Sequence, residues 1–160
     1  MFVDVPYEKI LFIDIETVPA GEHFDDLDEE WQNLWEKKSR FARENDGTEL
    51  PDSYGRAGLH AEFGRIICIS VGFLHRGTDG RSIHLKSFFG HNEKSLLEDF
   101  ANLINANQDK FLCAHNGKGF DFPFISRRML VHTIPLPPPL RTQGKKPWEI
   151  KHLDTMELWK

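Results

Sequence analysis

The stretch Ile-Leu-Phe-Ile-Asp-Ile-Glu-Thr, residues 10–17, decides how this sequence folds. Its first six residues form a short apolar run rich in isoleucine, which predicts a buried β-strand. Asp14 and Glu16 are two positions apart, so on a strand both side chains point to the same face. Burying unpaired carboxylates is costly, and a divalent cation removes that cost. Mg2+ and Mn2+ prefer the oxygen ligands that this pair offers.

The same pair has a second interpretation, in which the strand simply ends here and both acids face water. On these two residues alone, the sequence does not decide between a metal site and a solvated strand end.

The segment after this strand reads as a long insertion. Residues 25–44 are predicted to be helical, because apolar residues recur at spacings of three and four or their multiples. Residues 46–64 are rich in Gly, Pro, Asp and Ser and predict a loop. We therefore expect a single domain over residues 1–160 that carries an insertion at about residues 19–62.

The next elements are a predicted hairpin and a helix. Strands at residues 65–74 and 82–89 are joined by Gly-Thr-Asp-Gly at residues 77–80, a typical hairpin turn. Asn92 is the predicted N-cap of a helix. The apolar face of this helix is marked by Leu96, Leu97, Phe100, Leu103 and Ile104.

The last third of the chain predicts two further strands around a helix. The strands are expected at residues 110–115 and 150–153, and the helix runs from about 120–123 to Val131. A Pro-rich, basic loop covers residues 135–147. The order strand, insertion, hairpin, helix, strand, helix, strand predicts a mixed α/β sheet covered by helices.

Composition places the chain among soluble globular proteins of one domain. The 160 residues are 39% hydrophobic and 28% charged. No apolar run is long enough to cross a membrane, and the N-terminus has no pattern of a secretory signal. Cys68 and Cys113 each lie in an apolar run, which predicts buried free thiols in a reducing compartment. We therefore expect a cytoplasmic location.

The formal net charge of −5 argues against binding of nucleic acid by a general basic surface. A carboxylate metal site adds negative charge by itself, so a nuclease is not excluded. Acidic residues cluster at residues 25–30 and basic ones in the last third, and both clusters are typical of solvated surface. The basic ones are Arg127, Arg128, Arg141, Lys145, Lys146 and Lys151.

A second polar motif, Asn-Gly-Lys-Gly-Phe-Asp at residues 116–121, follows the fourth predicted strand. Loops at the ends of parallel strands are where α/β sheets place their chemistry. Asp121 before Pro123 also fits a plain N-cap, and Asn116 fits an ordinary turn. The motif alone therefore favours a structural role, and only its combination with residues 12–17 is specific.

Together, residues 12–17 and 115–121 resemble the first two motifs of the DEDD exonuclease superfamily, whose members have an RNase H-like fold. The likeness is to predicted 3′–5′ exonucleases related to the proofreading domain of family B DNA polymerases. It extends to residues 61–70 and 152–159. The resemblance implies an α/β fold with an RNase H-like mixed sheet flanked by helices.

The resemblance also implies a role for each matched residue. Asp14 would bridge two ions of Mg2+ or Mn2+, Glu16 would ligate one, and Asp121 would hold the second. Contacts with the terminal nucleotide would come from Thr17, Asn116 and Phe120. The implied reaction is hydrolysis of the last phosphodiester at a single-stranded 3′ end, with DNA favoured and nucleoside monophosphates as products.

The family has a third motif, a Tyr or His followed by a final Asp on a later helix, and the chain stops at Lys160 before it. We therefore expect a C-terminally incomplete domain that is weak or inactive as it stands. Asp154 lies upstream of that motif. With Glu157 it fits a capping box instead.

Two rival functions remain. One is a catalytically silent RNase H-like domain that binds nucleic acid or a protein; three retained acids argue against it. The other is a phosphatase with Asp14 as nucleophile, which leaves residues 116–121 unexplained. Stacking by Trp31, Trp35 or Trp148 and phosphate contact by Lys145 or Lys146 are further candidates. For the first two tryptophans, packing is favoured. The oligomeric state is open.

Overall fold

The computed structural model describes residues 5–78 and 80–159. The chain forms a five-stranded sheet with strand order β3-β2-β1-β4-β5. Strands β2 and β3 are antiparallel, while β1 with β4 and β4 with β5 are parallel. The predicted mixed α/β sheet is therefore confirmed. The strands are β1 Ile10–Pro19, β2 Gly64–Gly77, β3 Gly80–Phe89, β4 Phe111–Ala114 and β5 His152–Asp154.

The helices follow the predicted order, with one short helix added in the segment after β1 and another after β5. They are α1 Glu29–Asp46, α2 Leu50–Ser53, α3 Glu93–Asn105, α4 Asp121–Val131 and α5 Thr155–Trp159. The described residues divide into two compact units. One comprises the residues up to Glu16 and from Ile66 onward, and the other is Thr17–Arg65.

In the first unit, the hairpin and the helix after it form as predicted. Strands β2 and β3 pair from Cys68 opposite Phe89 to Gly77 opposite Gly80. Asp79, in the predicted turn, lies outside the described residues. The Asn92 side chain accepts a hydrogen bond from the Ser95 amide at 3.1 Å, which confirms the N-cap.

The apolar side of α3 is buried as its spacing predicts, except that Leu103 is only half-buried. Phe100 contributes a ring contact to β3, with its centroid 6.1 Å from that of Phe88. Strand β5 begins two residues later than expected, because residues 147–149 form a 3-10 turn ahead of it. Cys113 is buried as predicted, but Cys68 is half-buried; both thiols are free. No helix within the described residues is long and apolar enough to span a membrane.

A buried carboxylate that the sequence did not reveal joins three parts of this unit. Glu93, in the first turn of α3, accepts hydrogen bonds from the Ile66 amide at 2.7 Å and from His132 Nε2 at 2.7 Å. Two more come from Arg128, through Nε at 2.9 Å and Nη2 at 2.6 Å. Burial raises the pKa of Glu93, but these donors outweigh it and the pKa lies below its ordinary value.

Replacing Glu93 by Gln should lower the free energy of unfolding by about 3 kcal/mol, because a buried charge pair loses one partner. Glu98→Gln on the same helix is the matched control. Its exposed pair with Lys94, at 4.0 Å, should contribute less than about 1 kcal/mol. Urea unfolding monitored by circular dichroism measures both. Equal losses in the two variants would contradict the role assigned to Glu93.

In the second unit, the prediction of a loop at residues 46–64 is wrong. Its middle forms α2 and a 3-10 segment, Tyr54–Leu59. Proline is tolerated in the first turn of a helix, so Pro51 does not prevent α2. The segment is buried against Trp35, whose indole N–H donates to Ser53 Oγ at 3.0 Å and whose ring centroid lies 5.6 Å from that of Tyr54.

The predicted helix over residues 25–44 begins later than expected. Residues 24–26 form a 3-10 turn, and the Asp28 carboxylate accepts from the Trp31 amide at 2.9 Å, which starts α1 at Glu29. Trp35 is 1% exposed and is therefore a core residue of this unit. Trp31 is 42% exposed, and its ring lies 5.5 Å from that of Phe63.

Candidate active site

Asp14 and Glu16 lie on β1 as exposed residues that alternate with buried Ile13 and Ile15. The strand continues to Pro19, so the interpretation that it ends at these acids is wrong. Both acids nevertheless face water, so the burial cost expected for this pair does not apply. Within residues 5–78 and 80–159, neither carboxylate has a hydrogen-bond or ion-pair partner.

The parallel strands bring the other motif residues to the same edge of the sheet. Phe12 pairs with Cys113, and Cys113 pairs with Leu153. The carboxyl ends of β4 and β5 therefore lie side by side, next to the part of β1 that carries Asp14, and such strand ends are where α/β sheets carry their sites. Asp14 follows the part of β1 that pairs with β4, and Asp154 ends β5.

The loop after β4 has a backbone that its sequence dictates. Asn116 has φ 59°, a left-handed conformation that Asn tolerates. Its carbonyl accepts from the amides of Gly119 at 3.0 Å and Phe120 at 2.9 Å. Gly117 is buried, and a Cβ there would lie 2.4 Å from the Ala114 Cβ and 3.0 Å from Phe122 Cε2. Only glycine fits this position without moving the loop or α4.

Gly117→Ala should therefore destabilise the chain by about 1–3 kcal/mol through overpacking. Gly119→Ala is the matched control, since its new Cβ would meet only the movable Asn116 side chain, with Oδ1 at 2.8 Å. The free energies of unfolding of both variants, compared by urea titration, test this account. A loss for Gly119→Ala as large as that for Gly117→Ala would show that the contact with Ala114 is not the cause.

Asp154 holds this loop in place. Its buried carboxylate accepts from the amides of Asn116 at 2.8 Å and Lys118 at 3.1 Å. It also accepts from the Met156 amide at 3.0 Å, which caps α5. Burial raises the pKa of Asp154, but the amide donors outweigh it and the pKa is lowered. The predicted capping box does not form, because Asp154 accepts from the Met156 amide instead of that of Glu157, and the Glu157 carboxylate pairs with Lys118 Nζ at 2.8 Å.

Asp121 is the one buried member of the predicted acids, with 4% of its surface exposed. It is the first residue of α4, and Phe120 occupies the N-cap position, so the N-cap interpretation of Asp121 is wrong. Burial, together with the negative charges of Asp14 and Asp154, raises the pKa of Asp121 to about 6. The amides of Asp121 and Ile15 oppose this rise. Asp14 and Asp121 therefore lie within electrostatic range of each other.

The remaining predicted site residues lie in different settings. Thr17 belongs to the second unit, and its hydroxyl donates to the Gly58 carbonyl at 2.7 Å. Asn116 is exposed in the loop after β4. Phe120 is half-buried, with its ring centroid 5.4 Å from that of Phe124.

The acids fit a divalent cation by donor chemistry. Carboxylate oxygens are the ligands that Mg2+ and Mn2+ prefer, and a nearby cation would favour the ionised form of Asp121, whose pKa is raised by burial and by the charges of Asp14 and Asp154. In the part of the chain that the structure describes, however, no group of three or more His, Cys, Asp or Glu side chains converges closely enough to hold an ion.

Asp121 makes stability depend on pH. Its pKa lies at about 6 in the folded chain against an ordinary 3.8, so the unfolded chain releases this proton first. The free energy of unfolding should therefore fall as the pH rises through this window. Asp121→Asn should remove that component and add up to about 3 kcal/mol near neutral pH without metal.

Urea unfolding across the same pH window, in the presence of EDTA, measures this effect. Asp99→Asn, an exposed change on α3, is the control and should keep the wild-type profile. Identical profiles for Asp121→Asn and the wild type would contradict the raised pKa.

The mixed sheet thus carries acids and a polar loop near the carboxyl ends of its parallel strands. Residues 56–158 match the family described as predicted 3′–5′ exonuclease related to the exonuclease domain of PolB. Since this match spans more than half of the chain, the protein belongs to that family. No curated protein matches the chain.

A solved structure shares the fold. It is the family B DNA polymerase from the hyperthermophilic archaeon Pyrobaculum calidifontis, with a TM-score of 0.50 and 13% sequence identity. The alignment covers 96% of this chain and 16% of the polymerase chain. At this identity the likeness concerns the fold alone, and the chain spans only a small part of the polymerase.

Proposed function

We propose that this chain forms the core of a metal-dependent 3′–5′ exonuclease acting on single-stranded nucleic acid, with DNA as the first substrate to test. The observation that carries the proposal is Asp121: a buried acid at the start of α4 whose pKa is raised in part by the charge of Asp14. Asp121 lies within the residues that match the exonuclease family, and Asp14 is its charged neighbour on β1.

Asp14, Glu16 and Asp121 are the proposed ligands of Mg2+ or Mn2+. When bound, such ions supply an activated water and neutralise charge on the leaving 3′ oxygen. The protein's own part is to set the positions of these acids, through β1 and through the loop that Asp154 holds. Asn116, Phe120 and Thr17 are the proposed contacts of the terminal nucleotide.

The proposed domain is residues 1–160, with an insertion at about residues 19–62. Support comes from the compact unit Thr17–Arg65, which encloses that range. The free thiols Cys68 and Cys113 support a reducing compartment, and we propose the cytoplasm.

Release of mononucleotides from a 3′-labelled single strand should require Mn2+ or Mg2+ and stop with EDTA. Asp14→Asn and Asp121→Asn should each lower the rate at least about 100-fold, because each removes a metal ligand. Glu98→Gln, exposed on α3, should leave the rate unchanged. The assay uses the full product of the gene. The labelled reaction products are separated on denaturing gels. Cleavage that survives Asp14→Asn or EDTA would refute the metal site.

A catalytically silent domain is the second candidate function. It is favoured by the side-chain positions, since within residues 5–78 and 80–159 no three-donor cluster forms. The two candidates separate in one experiment, because a silent domain binds the labelled strand without shortening it at any metal concentration. Binding and rate are therefore recorded on the same preparation.

A further inference from the structure

Two adjoining hollows lie on the first unit, and residues of α4 line the larger one. The larger has a volume of about 430 Å³ and is lined in part by Lys118, Arg127 and Lys145, over an apolar floor that includes Phe122. The smaller, of about 180 Å³, is lined in part by Lys110, Lys145 and Lys151. Both share Thr142, Lys145 and Ile150 in their linings, so they adjoin. We call the surface formed by these two hollows the basic track.

The basic track is positive in a chain whose net charge is −5. Glu157, the acid in the larger hollow, is paired with Lys118 at 2.8 Å. Among the described residues, no carboxylate pairs with the side chains of Arg127 or Lys145. Glu149 accepts a hydrogen bond from the Lys146 amide at 2.7 Å. Within the part of the chain that the structure describes, it is the one acid that lines the smaller hollow, against the three lysines Lys110, Lys145 and Lys151.

The positive charges of Lys118 and Lys145 affect the neighbouring imidazole of His152. His152 lines the larger hollow, and its Nε2 bonds the Pro139 carbonyl at 2.9 Å. Burial lowers the pKa of His152, and the positive charges of Lys118 and Lys145 lower it further against that hydrogen bond. The larger hollow therefore presents positively charged side chains to an anion.

An exposed aromatic ring stands between the two hollows along the chain. Pro147 lines the larger hollow and Glu149 the smaller, and Trp148 lies between them on the 3-10 turn. Its surface is 78% exposed, and Lys146 Nζ lies 5.2 Å from the ring centroid. Exposed rings beside cations are the elements with which proteins bind single strands, by stacking and by charge.

We propose that the basic track binds the backbone of single-stranded nucleic acid, with Lys145 holding a phosphate where the hollows meet and Trp148 stacking a base. The proposal rests on the proposed function, since it takes the bound strand as the substrate. Two joined hollows suit a chain of phosphates better than one mononucleotide. Lys118 and Phe122 flank Asp121 in sequence and line the larger hollow, so the track adjoins the loop of the candidate active site.

Fluorescence anisotropy in EDTA measures binding without cleavage. The probes are labelled deoxythymidine and uridine oligonucleotides of about 12 residues, within the usual site size for single strands. Three exposed side chains of equal type elsewhere in the chain serve as matched controls. The track variants are Lys145→Ala, Arg127→Ala and Trp148→Ala, and the controls are Lys94→Ala, Arg40→Ala and Trp159→Ala.

Lys145→Ala and Arg127→Ala should each reduce the slope of log affinity against log salt by about 0.7, the value for one phosphate contact on a single strand. Trp148→Ala should weaken binding about fivefold or more through lost stacking. Circular dichroism checks that each variant is folded. Affinities and slopes equal to those of the controls, for both DNA and RNA, would overturn the track.

The two proposals fail in different ways. If metal-dependent release of mononucleotides is found and the track variants bind like their controls, the exonuclease assignment stands and the track is wrong. If the track variants lose binding but the wild type never shortens the strand, the track is a binding surface and the exonuclease assignment fails.

Discussion

The carboxylate of Asp154 sets the geometry on which the candidate site depends. It accepts the amides of Asn116 and Lys118 and so fixes the loop after β4 to the end of β5. Such charge-assisted hydrogen bonds to backbone amides are stronger than neutral ones. The loop in turn places Asp121 at the first turn of α4, where it is buried within reach of the charge of Asp14. Asp154, which the sequence predicted only as a helix cap, therefore positions the loop after β4 and, through it, Asp121.

The electrostatics of that edge explain why the acids matter although two of them are exposed. Asp14 and Glu16 face water, whereas Asp121 is buried and its raised pKa shows that it resists ionisation. A divalent ion would favour the ionised form of Asp121, since a nearby positive charge stabilises an ionised carboxylate. The basic track adjoins the same loop, since Lys118 and Phe122 line its larger hollow, and no carboxylate of the described residues pairs with its cations Arg127 and Lys145. An anionic strand would meet the positive side chains of the basic track, and a cation would meet the carboxylates of Asp14, Glu16 and Asp121.

Much of the fold follows from local pattern. The apolar run at residues 10–15, the hairpin and the Asn92 cap are encoded in short stretches, and the structure confirms them. Features that depend on distant partners were missed: residues 50–59 fold as helical turns because they pack on Trp35. The network at Glu93 joins residues that are 27 or more positions apart, which no local pattern encodes. For the site, the acids were found by motif, but the anchoring by Asp154 and the exposure of Asp14 required the structure.

Mn2+ broadening of backbone amide signals in NMR spectra tests the central claim, that the carboxyl edge of the parallel strands binds a divalent ion. The account predicts that substoichiometric Mn2+ first broadens the amides of residues 14–16 and 116–121, and that excess Mg2+ restores them. The amides of the acidic stretch at residues 25–30 should be affected later or not at all. Broadening that begins at residues 25–30, or that spreads evenly over exposed acids, would contradict a metal site at this edge.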